Sequence, residues 1–197
     1  AFLFAVAGLG VQAWPSLADA QGTRVPLPGH VLPALAQAKL ASSGAAIAKS
    51  APAAAEPLTL TVVLRRSDPV GFQAYLEDVY DPDSANFRHF LSPAQVTARF
   101  GPTAGDYKAV VDYFSSQGLA LTDGSANRMT LIVRGTRAAV RSALSVDLKD
   151  YTLGDRHFFA NDTDPMLPVE IANRVEAVVG LSDLAAPRPQ YQALKVV

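Results

Sequence analysis

YLEDVYDPDSANFRHFLSPAQVTARFGPTAGDYKAVVDYFSSQG, residues 75–118, contains helices and the signals that start and stop them. It opens inside a helix that begins at Asp68-Pro69. Asp68 is placed to cap the first turn. Pro69 suits the first helical position, where a missing N–H forfeits no hydrogen bond. Phe72, Leu76 and Val79 supply an apolar stripe, and Asp81-Pro82 ends the helix. Ser92-Pro93-Ala94-Gln95 has the form of a capping box with proline at the first position, and Gly101-Pro102 closes the short helix it opens. Thr103 and Asp106 repeat the capping logic. Tyr107, Val110, Val111 and Phe114 recur at helical spacing, and Gly118 fits a left-handed C-terminal cap.

Strands flank this helical block. In LTLTVVLR (58–65), Leu58, Leu60, Val62 and Leu64 alternate with Thr59, Thr61, Val63 and Arg65, the period of a strand with one buried face. Residues 119–122 and 128–134 form short strands joined by the turn-rich Asp123–Asn127. Thr136 caps a helix through Leu144 with Val140, Ala143 and Leu144 facing inward, and 147–153 and 156–159 read as further strand about a Gly154-Asp155 turn. Pro168 opens a last helix, with Ile171, Val175, Val178 and Val179 on one face. The order strand, helices, strand, strand, helix, strand predicts an α+β fold. The expected form is a ferredoxin-like antiparallel sheet with helices on one face. The other sheet face is then left for solvent or a partner, which makes Thr59, Thr61, Arg65, Thr130, Ile132 and Arg134 candidates for partner contact.

Composition narrows the function. The 197 residues are 49% hydrophobic with a net charge of −1, so a core is available and the chain lacks the basic excess of a nucleic-acid binder. With no cysteine there is no disulfide, zinc–thiolate site or thiol nucleophile. Residues 1–11, AFLFAVAGLGV, form an apolar run of signal-peptide length, and Ala18-Asp19-Ala20 offers a cleavage site after Ala20. No basic segment or initiator Met precedes the run, so residues 1–20 are expected to be the remnant of a signal peptide, and the location secreted or periplasmic. Residues 21–57, dominated by alanine with Pro26, Pro28, Pro33, Pro52 and Pro57, are expected to be a flexible linker with at most partial helix.

No catalytic constellation emerges. His30 falls in the linker, His89 and His157 are far apart in sequence, and no Gly-x-Ser-x-Gly elbow, phosphate loop or dinucleotide motif is present. Asp78, Asp81 and Asp83 lack the glycine and closing glutamate of a calcium loop, and turn and capping roles explain them better. The strand MTLIV (129–133) carries no aromatic of the kind an RNA-recognition sheet stacks on bases.

The strand LTLTVVLRR, the segment DPDSANFRHFLSPAQVTARFGP, the helix ending FSSQGL, MTLIVRGT with AAVRSALSVDLKDY, and the late LPVEIANRVEAVVGL occur in one order and spacing. Together they resemble the activation domain, or propeptide, of the sedolisin and kumamolisin-type serine-carboxyl peptidases (peptidase family S53). The likeness runs over about residues 58–186. Phe87-Arg88-His89-Phe90 departs from the tyrosine-rich, glycine-containing version usual in that family. The resemblance implies a protease activation domain at 58–184 that serves as intramolecular chaperone and temporary inhibitor of a cognate catalytic domain in the same precursor. It also implies an extended linker at 185–197 whose Pro187, Arg188, Pro189 and Tyr191 occupy the substrate cleft until acid self-processing. The family's catalytic serine lies in a Gly-Thr-Ser run, whereas Gly135-Thr136 is followed here by Arg137. The resemblance therefore implies no catalytic residue, cofactor or metal ligand in this chain; the catalytic domain and its calcium site are expected downstream. A free-standing secreted protease inhibitor is the alternative, followed by a ferredoxin-like module for a small ligand or RNA.

Overall fold

The computed structural model describes residues 22–41 and 57–185. The signal-peptide expectation for 1–20 and the cleft-occupying Pro187, Arg188, Pro189 and Tyr191 fall outside them, as do residues 42–56 of the expected linker.

The fold is α+β. Its main sheet joins β3 (Leu58–Leu64), β4 (Ala120–Gly124), β5 (Thr130–Gly135) and β9 (Val175–Val179) in the order β4-β5-β3-β9, with every pair antiparallel. The alternation in β3 survives folding: Leu60, Val62 and Leu64 are buried while Thr59, Thr61 and Val63 take the other face. Beneath the sheet lie α3 (Ala104–Ser116), α4 (Arg137–Leu144) and α5 (Val169–Ala172). Val110 and Phe114 of α3 and Val140, Ala143 and Leu144 of α4 share one core cluster with Leu60, Val62, Leu131, Val133 and Val178 of the sheet. Burying one such side chain fully contributes about 1.5–3 kcal/mol. Gly118 adopts φ 82° after α3, as a left-handed cap requires.

The helices α1 (Pro69–Tyr80) and α2 (Pro93–Phe100) carry their own aromatic cluster. Phe100 is fully buried, with its ring 5.3 Å from Phe72 and 5.7 Å from Tyr75. The expected caps form: Asp68 accepts the amide of Gly71, Ser92 and Gln95 exchange both bonds of a capping box, and Thr103 and Thr136 cap α3 and α4. Between α1 and α2 the chain folds around one carboxylate. Asp78 accepts from the Ser84 hydroxyl and from Asn86 Nδ2 at 2.7 Å, and Asp81 Oδ1 accepts the amide of Asp83. The acidic residues of this loop therefore serve its turns.

Three expectations are corrected. First, the described part of the expected linker, residues 22–41, is folded onto the body. β1 (Arg24–Pro26) pairs with β8 (Met166–Pro168), a 3-10 turn spans Pro33–Gln37, and β2 (Lys39–Leu40) pairs with β6 (Leu148–Leu153). Leu27 is 3% exposed within the main core, and the Arg24 guanidinium donates to the carbonyls of Ala143 and Met166. Sparse apolar residues among alanine and proline conceal this docking, because surface on the rest of the chain supplies the missing half of the contact. Second, the last helix stops at Ala172, and Val175–Val179 is a strand. Val175 and Val178 are three residues apart, which is helical spacing; a register shift between Val63 and Leu64 lets both be buried in a strand, and the open edge of β3 supplies the hydrogen bonds that favour it. Third, β6 and β7 (Arg156–Asn161) form a hairpin in a separate three-stranded sheet with β2, away from the main sheet.

The outer face of the main sheet as candidate functional site

The face of the main sheet opposite the core contributes no residue to either apolar cluster. Register aligns its side chains in rows across the strands. Thr61 stands beside Ile132 on β5 and Val179 on β9, and Ile132 stands beside Asp123 on β4. Thr59 pairs with Arg134, which pairs with Ala120, while Val63 lies between Thr130 and Ala177. Val179 is 59% exposed, Thr59 and Arg134 are exposed, and Thr61, Thr130 and Ile132 are partly so. Among the described residues nothing pairs with the Arg134 guanidinium, whose planar fork suits a carboxylate. The surface is an apolar and hydroxyl strip with Arg134 toward one end and Asp123 on its edge strand.

Five of the six residues singled out from the sequence thus share this face: Thr59, Thr61, Thr130, Ile132 and Arg134. Arg65 sits apart, at the end of β3. Its Nε donates to the carbonyl of Val175 at 3.0 Å and its guanidinium lies 3.2 Å from Glu176, so it is tied to β9. Ala177 and Val179 also belong to the face, where the sequence pattern predicts a helix. Density of β-branched residues in VEAVV was the signal available.

Beside Arg65 opens a polar cleft of about 460 Å³ lined by Arg66, Asp106, Glu170 and Arg174. Its charges are largely engaged. Arg174 Nε lies 2.7 Å from Asp106, and the Arg66 guanidinium stacks on the Phe72 ring at 3.8 Å. The Thr103 hydroxyl and Arg174 hold the Asp106 carboxyl below its ordinary value. This ion pair joins α3 to the residue before β9 and explains both groups structurally.

The histidines are separate. His30 donates from Nδ1 to the Leu27 carbonyl at 2.9 Å and accepts the Val178 amide at Nε2. Among the described residues no group of three His, Asp or Glu side chains converges as metal ligands do, and no helix is long and apolar enough to cross a membrane. The site offers surface and pairing potential.

Residues 45–184 match the family model described as Pro-kumamolisin, activation domain. The chain belongs to the pro-kumamolisin activation domain family. This domain is distinct from the catalytic part of the peptidases that carry it. Xanthomonalisin of Xanthomonas sp. (strain T-22) is 34% identical over 129 residues, which cover 66% of this chain and 16% of that protein. Sedolisin of Pseudomonas sp. (strain 101) is 26% identical over 140 residues, and kumamolisin of Bacillus sp. (strain MN-32) 26% over 135. They cover 71% and 68% of this chain respectively, and 24% of each relative. The matched part of this activation domain therefore spans a quarter or less of the length of these relatives.

Proposed function

We propose that the chain is the propeptide of a secreted serine-carboxyl peptidase precursor, in which it assists folding of the catalytic domain and restrains it until acid self-processing. The observation that carries this reading is the match of 45–184 to the pro-kumamolisin activation domain. In this reading the outer face built by Thr59, Thr61, Thr130, Ile132 and Arg134 packs on the catalytic domain, and the segment 185–197 enters its substrate cleft. A propeptide that binds only the folded enzyme stabilises that state by mass action, and covalent linkage raises its effective concentration. Acid weakens the complex by protonating carboxylates of the partner that face propeptide arginines such as Arg134. In these three relatives the matched part belongs to a longer protein, and the linked-domain reading follows their pattern. Calcium, in this reading, belongs to the catalytic domain.

The test is to refold the mature catalytic domain of the same precursor with and without the full chain. The expected result is recovered peptidase activity only when the chain is present, inhibition at neutral pH and its relief in acid. A catalytic domain that refolds equally well alone and is not inhibited overturns the reading.

A further inference from the structure

Residues 22–41 lie outside the 45–184 match, yet they are built into the body of this protein. What they reach is the place where the described chain ends. The β6–β7 hairpin carries a small second core of Tyr151, Phe158 and Ala160, with the two rings stacked at 5.8 Å. Leu32, Leu35 and Ala38 pack on it from the N-terminal strap, and Leu184 packs on it from the exit segment. The strap is also hydrogen-bonded there, through the β2–β6 pairing and the Ala41 amide to the Asp150 carbonyl at 2.9 Å.

The exit segment is held by polar contacts to the same hairpin. The Asp183 carboxylate accepts the Phe159 amide at 2.7 Å, and the Asp183 amide points back at the Phe159 carbonyl. The Arg156 guanidinium donates to the Leu184 carbonyl. Such exposed contacts are weak singly, because water competes for each group. They gain from an apolar core that keeps water from the hairpin, and that core has only three buried side chains. Removing the strap opens one side of that core, and the packing of Leu184 and the shielding of the Asp183–Phe159 bonds fall together.

We propose that the N-terminal strap is the buttress of the exit segment. Packing of Leu35 and its neighbours against the hairpin keeps residues 182–185 in one place, with Asp183 and Arg156 as positioning residues. Resting on the propeptide reading, this gives the strap a role in inhibition: it aims the segment that follows Ala185.

Amide exchange by NMR on the full chain tests the coupling without any peptidase. Leu35→Asp and the milder Leu35→Ala are compared with the native chain, and Asp183→Ala serves as the direct control. The expected result is exchange about tenfold faster at the Phe159 and Asp183 amides in either strap variant, with Val62 and Leu131 amides of the main sheet unchanged. Native exchange at Phe159 and Asp183 in a variant whose Ala38 and Ala41 amides have loosened overturns the proposal, as does main-sheet loosening in both variants. Inhibition of the mature catalytic domain of the same precursor is then read with the same variants, the expected result being weaker inhibition by about tenfold. Equal inhibition by native and variant chains overturns the aiming role. A native chain that does not inhibit at all overturns the propeptide reading and leaves the exchange result standing.

Discussion

His30 Nε2 accepts the backbone amide of Val178 at 3.0 Å, which ties the N-terminal strap to the outer edge of β9. Val178 is the register partner of Val62, and its N–H, taken by the imidazole, lies on the side of β9 away from β3, where an edge strand is otherwise open to pairing with another chain. The ring can accept there only as the neutral tautomer that carries its proton on Nδ1, the nitrogen facing the Leu27 carbonyl. Asn161 reinforces the join by donating to the His30 carbonyl, and Asp164 accepts the His30 amide.

Replacing His30 with Phe keeps the bulk and removes both ring bonds. The expected cost is about 1–2 kcal/mol, read by chemical denaturation, with faster exchange at the Val178 amide. Unchanged exchange at Val178 would show that the edge is protected by something other than the imidazole.

Phe100 joins two helices through its contacts with Phe72 and Tyr75 and is fully buried. Phe100→Ala is expected to cost about 3–5 kcal/mol, enough to unfold a marginal domain. A loss below about 1 kcal/mol in a denaturant titration would mean that the cavity collapses and that α1 and α2 reseat.

Asp106 gives a pH signature. Its carboxyl titrates below its ordinary value in the fold, because the Thr103 hydroxyl and Arg174 favour the charged form. A carboxylate depressed by folding stabilises above its unfolded value, and that contribution disappears as pH falls through the folded one. Asp106→Asn is therefore expected to be less stable than the native chain at pH 7 by about 0.5–1 kcal/mol, a modest figure because the pair is about one-third exposed. The gap closes as pH falls below about 4. A difference that stays constant through the acid range would rule out the ionised pair as its source.

Asp78 is the hub of the loop between α1 and α2, and its hydrogen bonds from Ser84 and Asn86 hold its carboxyl below the ordinary value. Asp78→Ala is expected to leave the main sheet intact and to free the loop, seen as lost exchange protection at the Phe87 and Arg88 amides. Arg88 sits at φ 59° with its amide on the Val79 carbonyl, a conformation that needs a fixed frame. Preserved protection there would assign the frame to the backbone alone.

Ile132→Asp tests the outer face. Ile132 lies in the middle of the row from Val179 to Asp123, on the side away from the core. Stability is expected to fall by about 1–2 kcal/mol, because aspartate suits an inner strand poorly and stands opposite Asp123, while the main sheet stays folded and inhibition of the catalytic domain weakens at least about tenfold. Undiminished inhibition would move the docking surface elsewhere.

Local chemistry made much of this protein legible from its sequence. The caps at Asp68, Ser92, Thr103 and Thr136, the turn at Gly118 and the period-two pattern of Leu58–Leu64 depend on neighbours within a few residues, and each forms as those neighbours dictate. Thr59, Thr61, Thr130, Ile132 and Arg134 could be assigned to one face for the same reason, since alternation along a strand separates its two sides. Only the tertiary structure decided three things: that Val175–Val179 would be a strand, that residues 22–41 would dock, and that Arg65 would be spent on β9. In each case the deciding partner is distant in the chain: the edge of β3, the β6–β7 hairpin and β8, and the carbonyl of Val175. A helical spacing rich in β-branched residues, or a short apolar segment unable to bury itself alone, takes its structure from whichever surface the rest of the fold presents.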